Sequence, residues 1–189
     1  MVELVIVVAI FLIVAAMAVP VMRNLRDSYQ LNVSGRDVSA MLLQTRAIAV
    51  HANQPYYAQI TAVPGSLASA QSASQLSGGA APVPDPNPAV STEGLVTFQT
   101  GGLPDHTQLD TFVGGTPAAA QINGVVAFNA RGIPCGPGTL PTNFFSCPAS
   151  AIGFEWFMQS SVSNQWEAVT VTPAGRVRSW RQGSSGTWQ

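Results

Sequence analysis

The side chains that could do chemistry in this sequence are few and scattered. His51 and His106 stand apart from each other, and each is expected to be a surface or helix-end residue rather than a ligand or a base. The acids of the central part, which fall in loop-like contexts, are Asp85, Glu93, Asp105 and Asp110. No Gly-rich phosphate loop, H-E-x-x-H or G-x-S-x-G motif occurs. We therefore expect no enzyme activity, no cofactor and no metal site.

The two cysteines, Cys135 and Cys147, enclose the Gly/Pro-rich stretch CGPGTLPTNFFSC. Structural zinc takes four ligands, so two cysteines without a neighbouring histidine do not favour a zinc site. Two interpretations stay open, a disulfide and a pair of unpaired thiols. A disulfide would contribute about 3 kcal/mol in the chain-entropy model and would indicate an oxidising compartment. We expect the disulfide.

The C-terminal segment GRVRSWR places Arg176, Arg178 and Arg181 around Trp180. Arginine pairs with phosphate and tryptophan can stack on a base, so these residues are a candidate DNA-binding site. The same pattern fits an ordinary hairpin with one solvated face, and that interpretation also stays open. Because the net charge of the chain is −1, any nucleic-acid role depends on a local patch of this kind.

The opening segment, MVELVIVVAIFLIVAAMAVP, is apolar except for Glu3 and contains a helix breaker, Pro20. Residues 4–22 carry no polar side chain, and a helix over them would span roughly the ~30 Å hydrocarbon core of a bilayer. A cleavable secretory signal begins with basic residues and has a shorter apolar region, so we expect this segment to be retained. On the residues alone, Glu3 could act only on the helix dipole and Pro20 could only kink the helix.

Beyond residue 22 the pattern becomes amphipathic and predicts that one long helix covers residues 1–54 and ends before Pro55. The residues expected on its packed side are Leu25, Tyr29, Val33, Val38, Met41, Leu42, Thr45 and Ala49. Those expected on its polar side are Arg26, Asp27, Gln30, Arg36, Asp37 and Gln44. Pro20 and Gly35 are expected to be the weak points of this helix.

The remainder, residues 55–189, is expected to be a β-rich head. Strands are predicted at YYAQITAV, GLVTFQT, TQLDTFV, GVVAFNARG, AIGFEWFMQ, WEAVTVT and GRVRSWR, and a Pro-Ala-Gly turn at residues 173–175 joins the last two. The Ala/Ser/Pro-rich segment at about 64–92 is expected to be a long flexible loop, with or without O-linked sugar. The predicted class is α+β, with the helix packed on an antiparallel sheet.

The charge pattern leaves one conflict. Charged residues make up 9% of the chain and there is no lysine. The arginines nearest the apolar segment, Arg23 and Arg26, follow it, so the positive-inside rule would leave the head in the cytoplasm, where a disulfide is not expected. A basic leader preceding residue 1 would resolve the conflict.

The segment MVELVIVVAIFLIVAAMAVP resembles the N-terminal assembly helix of type IV pilins and type II secretion pseudopilins. LLQTRAIAVHANQPY, VVAFNARGIP and EAVTVTPAGRVRSW resemble the helix end, the F-x-x-x-G strand and the terminal hairpin of the FimT/GspH branch. The resemblance covers nearly the whole chain except the segment at about 64–92. In that family the acid lies two residues deeper, after a Gly cleavage site, which implies that Met1 is internal and that two mature residues precede it.

The resemblance implies the pilin fold and a structural subunit of a pilus or pseudopilus filament. Glu3 would neutralise the N-terminal amine of a neighbouring subunit, and Pro20 would let the helix extend or kink. The implied partners are copies of the chain, other pilins, the inner membrane before assembly, and a prepilin peptidase, with N-terminal methylation. The implied location is the bacterial inner membrane with a periplasmic head, and then a periplasmic or extracellular filament. The alternative is a minor FimT-like pilin that captures DNA through its C-terminal arginines.

Overall fold

A computed structural model describes residues 2–53, 56–61, 69–74, 83–92, 96–99, 101–114, 121–122, 126–135 and 153–189. Helix α1 spans Val2–Ala52, and its backbone is helical without interruption through residue 20. Asn53 follows with a φ of 50°, the left-handed conformation that commonly ends a helix. The long N-terminal helix is thus confirmed. Among the described residues, no helix combines the length and the apolar character needed to cross a membrane.

The two halves of α1 have different surroundings. The large apolar side chains from Val2 to Val14 are between 48% and 74% exposed, whereas Leu31, Val38 and Leu42 are fully buried against the head. The packed side differs from the prediction, because Leu25 and Tyr29 are 65% and 71% exposed, whereas Asp27, expected on the polar side, is only 5% exposed. Tyr29 lies two residues from Leu31, about 200° around the helix, and so projects away from the head.

The strands of the C-terminal region form a sheet in the order β10-β9-β8-β4, with β5 pairing with β8 in parallel. The bounds are β4 Val96–Phe98, β5 Gln121–Ile122, β8 Phe154–Ser160, β9 Trp166–Val171 and β10 Val177–Arg181. The hairpin joining β9 and β10 is closed where the Gly175 N–H donates to the Thr172 carbonyl at 2.7 Å, and Gly175 has a φ of 79°. The predicted Pro-Ala-Gly turn is confirmed.

A second sheet has the order β3-β2-β1-β6-β7. Its strands are β1 Tyr56–Thr61, β2 Ser69–Ser74, β3 Val83–Ser91, β6 Val126–Phe128 and β7 Pro134–Cys135. Strands β2 and β3 lie within the segment expected to be a loop. β2 pairs with β1 and β3 pairs with β2, both antiparallel, and this pairing uses backbone groups, so it does not need the alternating apolar side chains on which a strand prediction depends.

Helix α1 and a second helix, α2 at Thr107–Val113, cover opposite faces of the C-terminal sheet, which we name the α1 face and the α2 face. On the α1 face the main core packs Phe154, Trp156 and Val169 against α1. On the α2 face a smaller, aromatic core contains Leu109, Phe157, Ala168, Trp180 and Trp188. Alternation along β8 and β9 sends successive side chains to opposite faces, and both faces are covered, so both strands are buried almost throughout.

The second helix, α2, covers Thr107–Val113 in the segment TQLDTFV, where the sequence predicted a strand. Asp105 Oδ1 accepts hydrogen bonds from the backbone N–H of Thr107 at 3.0 Å and from its hydroxyl at 2.6 Å, which fixes the first turn. Gly114, with a φ of 80°, ends the helix. The strand prediction was wrong because β-branched and aromatic content suggested a strand, whereas Asp105 and Gly114 are start and stop signals for a helix.

Candidate functional site

The α2 face brings Glu155 together with two side chains that precede it by more than 40 residues in the sequence, His106 and Asp110. The Nδ1 atom of His106 lies 3.2 Å from Oδ2 of Asp110 and 3.6 Å from Oε2 of Glu155. One ligand atom from each residue lies within 4.8 Å of the others. The expectation that His106 and Asp110 are isolated is therefore wrong, although His106 does lie at a helix end.

This cluster buries two acidic side chains. Glu155 is fully buried and Asp110 is 4% exposed, while the His106 side chain keeps 20% of its surface in solvent. Among the described residues, neither oxygen of Glu155 accepts a hydrogen bond, and Oδ1 of Asp110 and Nδ1 of His106 are also without one. Burial and, secondarily, the negative charge of Asp110 raise the pKa of Glu155 from 4.5 to about 8.

The cluster is held by polar contacts that fix α2 against the sheet. Gln108 Nε2 donates to the carbonyl of Trp188 at 2.9 Å, and the N–H of Trp188 donates to Oε1 of Gln108 at 3.0 Å. The Trp188 indole N–H donates to the carbonyl of Asp105 at 2.8 Å. The His106 ring packs on Phe157 at 5.5 Å between ring centroids. The C-terminus thus positions the helix that carries Asp110.

Another buried acid, Glu167, lies on the α1 face. It is 3% exposed, and a Cβ added to Gly35 of α1 would overlap its Oε1, so a larger residue at position 35 would force this buried side chain to move. Burial raises the pKa of Glu167 from 4.5 to about 7, while the charges of Arg181 and Arg36 act in the opposite direction. Arg181 is held beside it, since its Nη2 donates to Oε1 of Gln165 at 2.9 Å.

The candidate DNA-binding residues are divided between the two faces. Arg176 and Arg178 are exposed on the α2 face, with the Arg178 guanidinium 3.8 Å from the centroid of the Trp180 ring. Trp180 is only 6% exposed and packs edge-on against Phe112 at 4.9 Å. Its indole N–H donates to the hydroxyl of a buried threonine at 2.9 Å. Trp180 is therefore a core residue, and Arg181 belongs to the α1 face.

The residues expected to direct assembly lie in the projecting part of α1. Glu3 is exposed in the first turn of the helix, among exposed apolar side chains. Pro20 lies within the continuous helical backbone, and its side chain lies outside the described part. Their roles in register and extension stay predictions.

The expected disulfide involves a residue outside the described part of the chain. The backbone of Cys135 pairs with Ala127 across β6 and β7. Cys147 lies among residues 136–152, which the structure does not describe. The disulfide therefore stays a prediction.

Comparison with known proteins gives evidence at the level of the fold. No protein-family model matches the chain, and no curated protein matches it significantly. Among solved structures, the type IV minor pilin FimU of Pseudomonas aeruginosa is 13% identical, with a TM-score of 0.50 over 86% of this chain and 94% of FimU. This chain has the pilin fold. The minor pseudopilin EpsH of the type 2 secretion system of Vibrio cholerae is also similar, at 11% identity and a TM-score of 0.49 over 82% of this chain and 99% of EpsH.

Within this pilin fold, the sequence had pointed to the assembly helix and the arginine hairpin but not to the buried acids. Glu155 and Glu167 each interrupt a strand of otherwise apolar and small residues, FEWFM and WEAV. A carboxylate in a strand buried on both faces is a detectable signal, because charged residues are almost never fully buried unless they are paired. The pairing of Glu155 with His106 and Asp110 depends on the docking of α2 and is visible only in the fold.

Proposed function

We propose that this chain is a structural subunit of a type IV pilus-like or type II secretion pseudopilus filament, and that it polymerises through the N-terminal half of α1. The observation that carries the proposal is the row of exposed apolar side chains from Val2 to Val14 on a helix that projects beyond the packed part of the head. Full burial of such a side chain contributes about 1.5–3 kcal/mol, so this surface favours a state in which it is covered. The pilin fold supports copies of the same helix as the cover.

Glu3 would set the register of this packing. A carboxylate in an apolar bundle is costly unless a cation pairs with it, so the bundle favours the arrangement in which a neighbour's N-terminal amine meets Glu3. Apolar contacts then supply adhesion and the ion pair supplies specificity. Before assembly the subunit would be held at the inner membrane and processed by a prepilin peptidase, and the filament would be periplasmic or extracellular.

The test compares Glu3→Gln with Asp37→Asn in the native host. Asp37 is an exposed acid on the same helix, in its packed half, and serves as the matched control. Because breaking a buried ion pair is strongly destabilising, Glu3→Gln should lower the filament fraction by more than ~10-fold, while Asp37→Asn should leave it unchanged. Thermal unfolding followed by circular dichroism should show equally stable heads. Filaments at the wild-type level in Glu3→Gln would refute the register role.

DNA capture is the second candidate function, and the exposure of Arg176 and Arg178 on one side of the sheet favours it. We propose that these two guanidinium groups would bind phosphate, without base stacking by the buried Trp180. Duplex binding should weaken, and its salt dependence should decrease, in Arg176→Gln/Arg178→Gln but not in Arg131→Gln, an exposed arginine in another turn. Absence of salt-sensitive binding at micromolar protein would exclude this function.

A further inference from the structure

The cluster on the α2 face contains two buried carboxylates and one imidazole. Even a protonated His106 would leave one negative charge uncompensated if Asp110 and Glu155 were both ionised. We propose that His106, Asp110 and Glu155 bind a divalent cation of the zinc class, and that this ion ties α2 to strand β8. This inference is independent of the filament role.

The distances within the cluster fit such an ion. Zinc ligands lie about 2.0–2.2 Å from the metal in a tetrahedron, which places neighbouring ligand atoms about 3.3–3.5 Å apart. The two distances from Nδ1 of His106, 3.2 Å to Asp110 and 3.6 Å to Glu155, agree with that spacing. The third pair lies within 4.8 Å, so metal binding would draw the two carboxylate side chains closer together.

The donor types select the class of metal. One imidazole nitrogen and two carboxylate oxygens suit zinc or a similar transition metal, whereas calcium takes six to eight oxygen ligands and magnesium keeps several waters in an octahedron. The atoms that face one another in the cluster are buried, although the His106 side chain is 20% exposed, and a water molecule would supply the fourth ligand. The ion would thus have three protein ligands and one open position.

The lack of hydrogen bonds at the cluster is the second line of support. In the part of the chain that the structure describes, both oxygens of the fully buried Glu155 lack a hydrogen-bond donor. A buried carboxylate without partners costs several kcal/mol, and a buried charge is commonly compensated by pairing or by coordination to a metal. A divalent cation would balance both carboxylates and would contact the atoms that the chain leaves unpaired.

The ion would have a structural consequence, because its ligands come from separate elements. His106 immediately precedes α2, Asp110 lies within α2, and Glu155 lies on β8. Binding to the folded state alone stabilises that state, so the docking of α2 and of the C-terminal contacts made by Trp188 would become metal-dependent.

The test uses the full chain without an affinity tag, in detergent and stripped of metal with a chelator. Calorimetric titration with zinc should give one site per chain, and magnesium in excess should not compete. Cobalt should give the intense visible absorption of a tetrahedral centre. Absence of a one-to-one zinc site, or the weak spectrum of octahedral cobalt, would overturn the proposal.

Two substitutions identify the ligands. Glu155→Gln keeps the shape of the side chain, and His106→Asn alters a partly exposed position, so folding can be checked independently for each. Loss of an outer-shell partner already costs about 10–100-fold in metal affinity, so loss of a ligand should weaken zinc binding by more than ~100-fold. The controls are Glu167→Gln, a buried acid of the other face, and His51→Asn, an exposed helix-end histidine. If Glu155→Gln or His106→Asn bound zinc as tightly as these controls, the proposed site would be wrong.

Discussion

Glu167 on the α1 face and Glu155 on the α2 face are buried carboxylates of adjacent strands, and their electrostatic surroundings are opposite. The charges of Arg181 and Arg36 oppose the effect of burial on the pKa of Glu167. On the other face the charge of Asp110 adds to the effect of burial on Glu155. One face therefore supplies cations from the chain itself, and the other gathers anions.

This difference shows how a chain with few charges can hold acids in its core. It contains no lysine, and in the described part of the chain no arginine pairs with Glu155, whose basic neighbour is His106. The Cζ atom of Arg178, for example, lies 3.8 Å from the centroid of the Trp180 ring and 5.6 Å from that of Phe112. Aromatic contacts thus engage this arginine at the outer edge of the α2 face, and Glu155, with its pKa raised to about 8, is uncharged at neutral pH unless a cation binds.

The largest expected effect on the free energy of unfolding is a pH dependence that arises from Glu167. Its pKa is 4.5 when unperturbed and about 7 in the folded state, so between these values the folded state holds a proton that the unfolded state has lost. Stability should therefore fall as pH rises from about 4.5 through 7, by about 3 kcal/mol in total. Denaturant unfolding across this range should show a larger decline for wild type than for Glu167→Gln. If the plots of unfolding free energy against pH were parallel for wild type and Glu167→Gln, Glu167 would be ionised in the folded state across this pH range.

A somewhat smaller effect is expected from Gly35→Ala, at the close approach between α1 and Glu167. The new Cβ would overlap the carboxylate, and overpacking of this kind costs about 1–3 kcal/mol. In a Glu167→Ala background the obstacle is absent, so the same substitution should stabilise by up to about 1 kcal/mol through its helix propensity. A double-mutant cycle measured by denaturant unfolding tests this change of sign. If Gly35→Ala changed the unfolding free energy equally in wild type and in Glu167→Ala, this would contradict the close approach between Gly35 and the Glu167 side chain.

The smallest effect is expected from Arg178→Gln, which removes a cation from the rings of the α2 face. The stacked guanidinium should contribute about 0.5–1 kcal/mol at this exposed position. Unfolding free energies should show that loss, and Arg131→Gln should be neutral as the matched exposed control. Because Arg178 does not compensate Glu155, the zinc affinity of the cluster should be unchanged. A change in that affinity would show that the arginine belongs to the site.

The sequence contained enough local information to predict the long helix, the terminal hairpin and several strands. The apolar run, its change to an amphipathic pattern and Pro55 define α1, and the residues Pro173, Ala174 and Gly175 define the turn. Gly35 appeared in the sequence as a weak point of the helix. Its actual importance is tertiary, since it makes room for a side chain about 130 residues later in the chain, Glu167.

The cluster could not be predicted because one local error concealed it. His106 and Asp110 are four residues apart, which makes them neighbours on a helix. In an extended chain, as predicted for the segment TQLDTFV that follows His106, the same spacing would separate them by about 13 Å. The contact with Glu155 adds a further requirement, the docking of α2 on β8, which no pattern within either segment encodes.

The measurement that most directly tests the contrast between the two faces is a set of melting temperatures with and without zinc. Wild type, Glu167→Gln and Glu155→Gln would each be stripped of metal and then given free zinc at 100 times the wild-type dissociation constant. The account predicts that zinc stabilises wild type and Glu167→Gln by about 2.7 kcal/mol, and that it leaves Glu155→Gln unchanged. An equal zinc effect in Glu155→Gln and Glu167→Gln, or none in wild type, would contradict it.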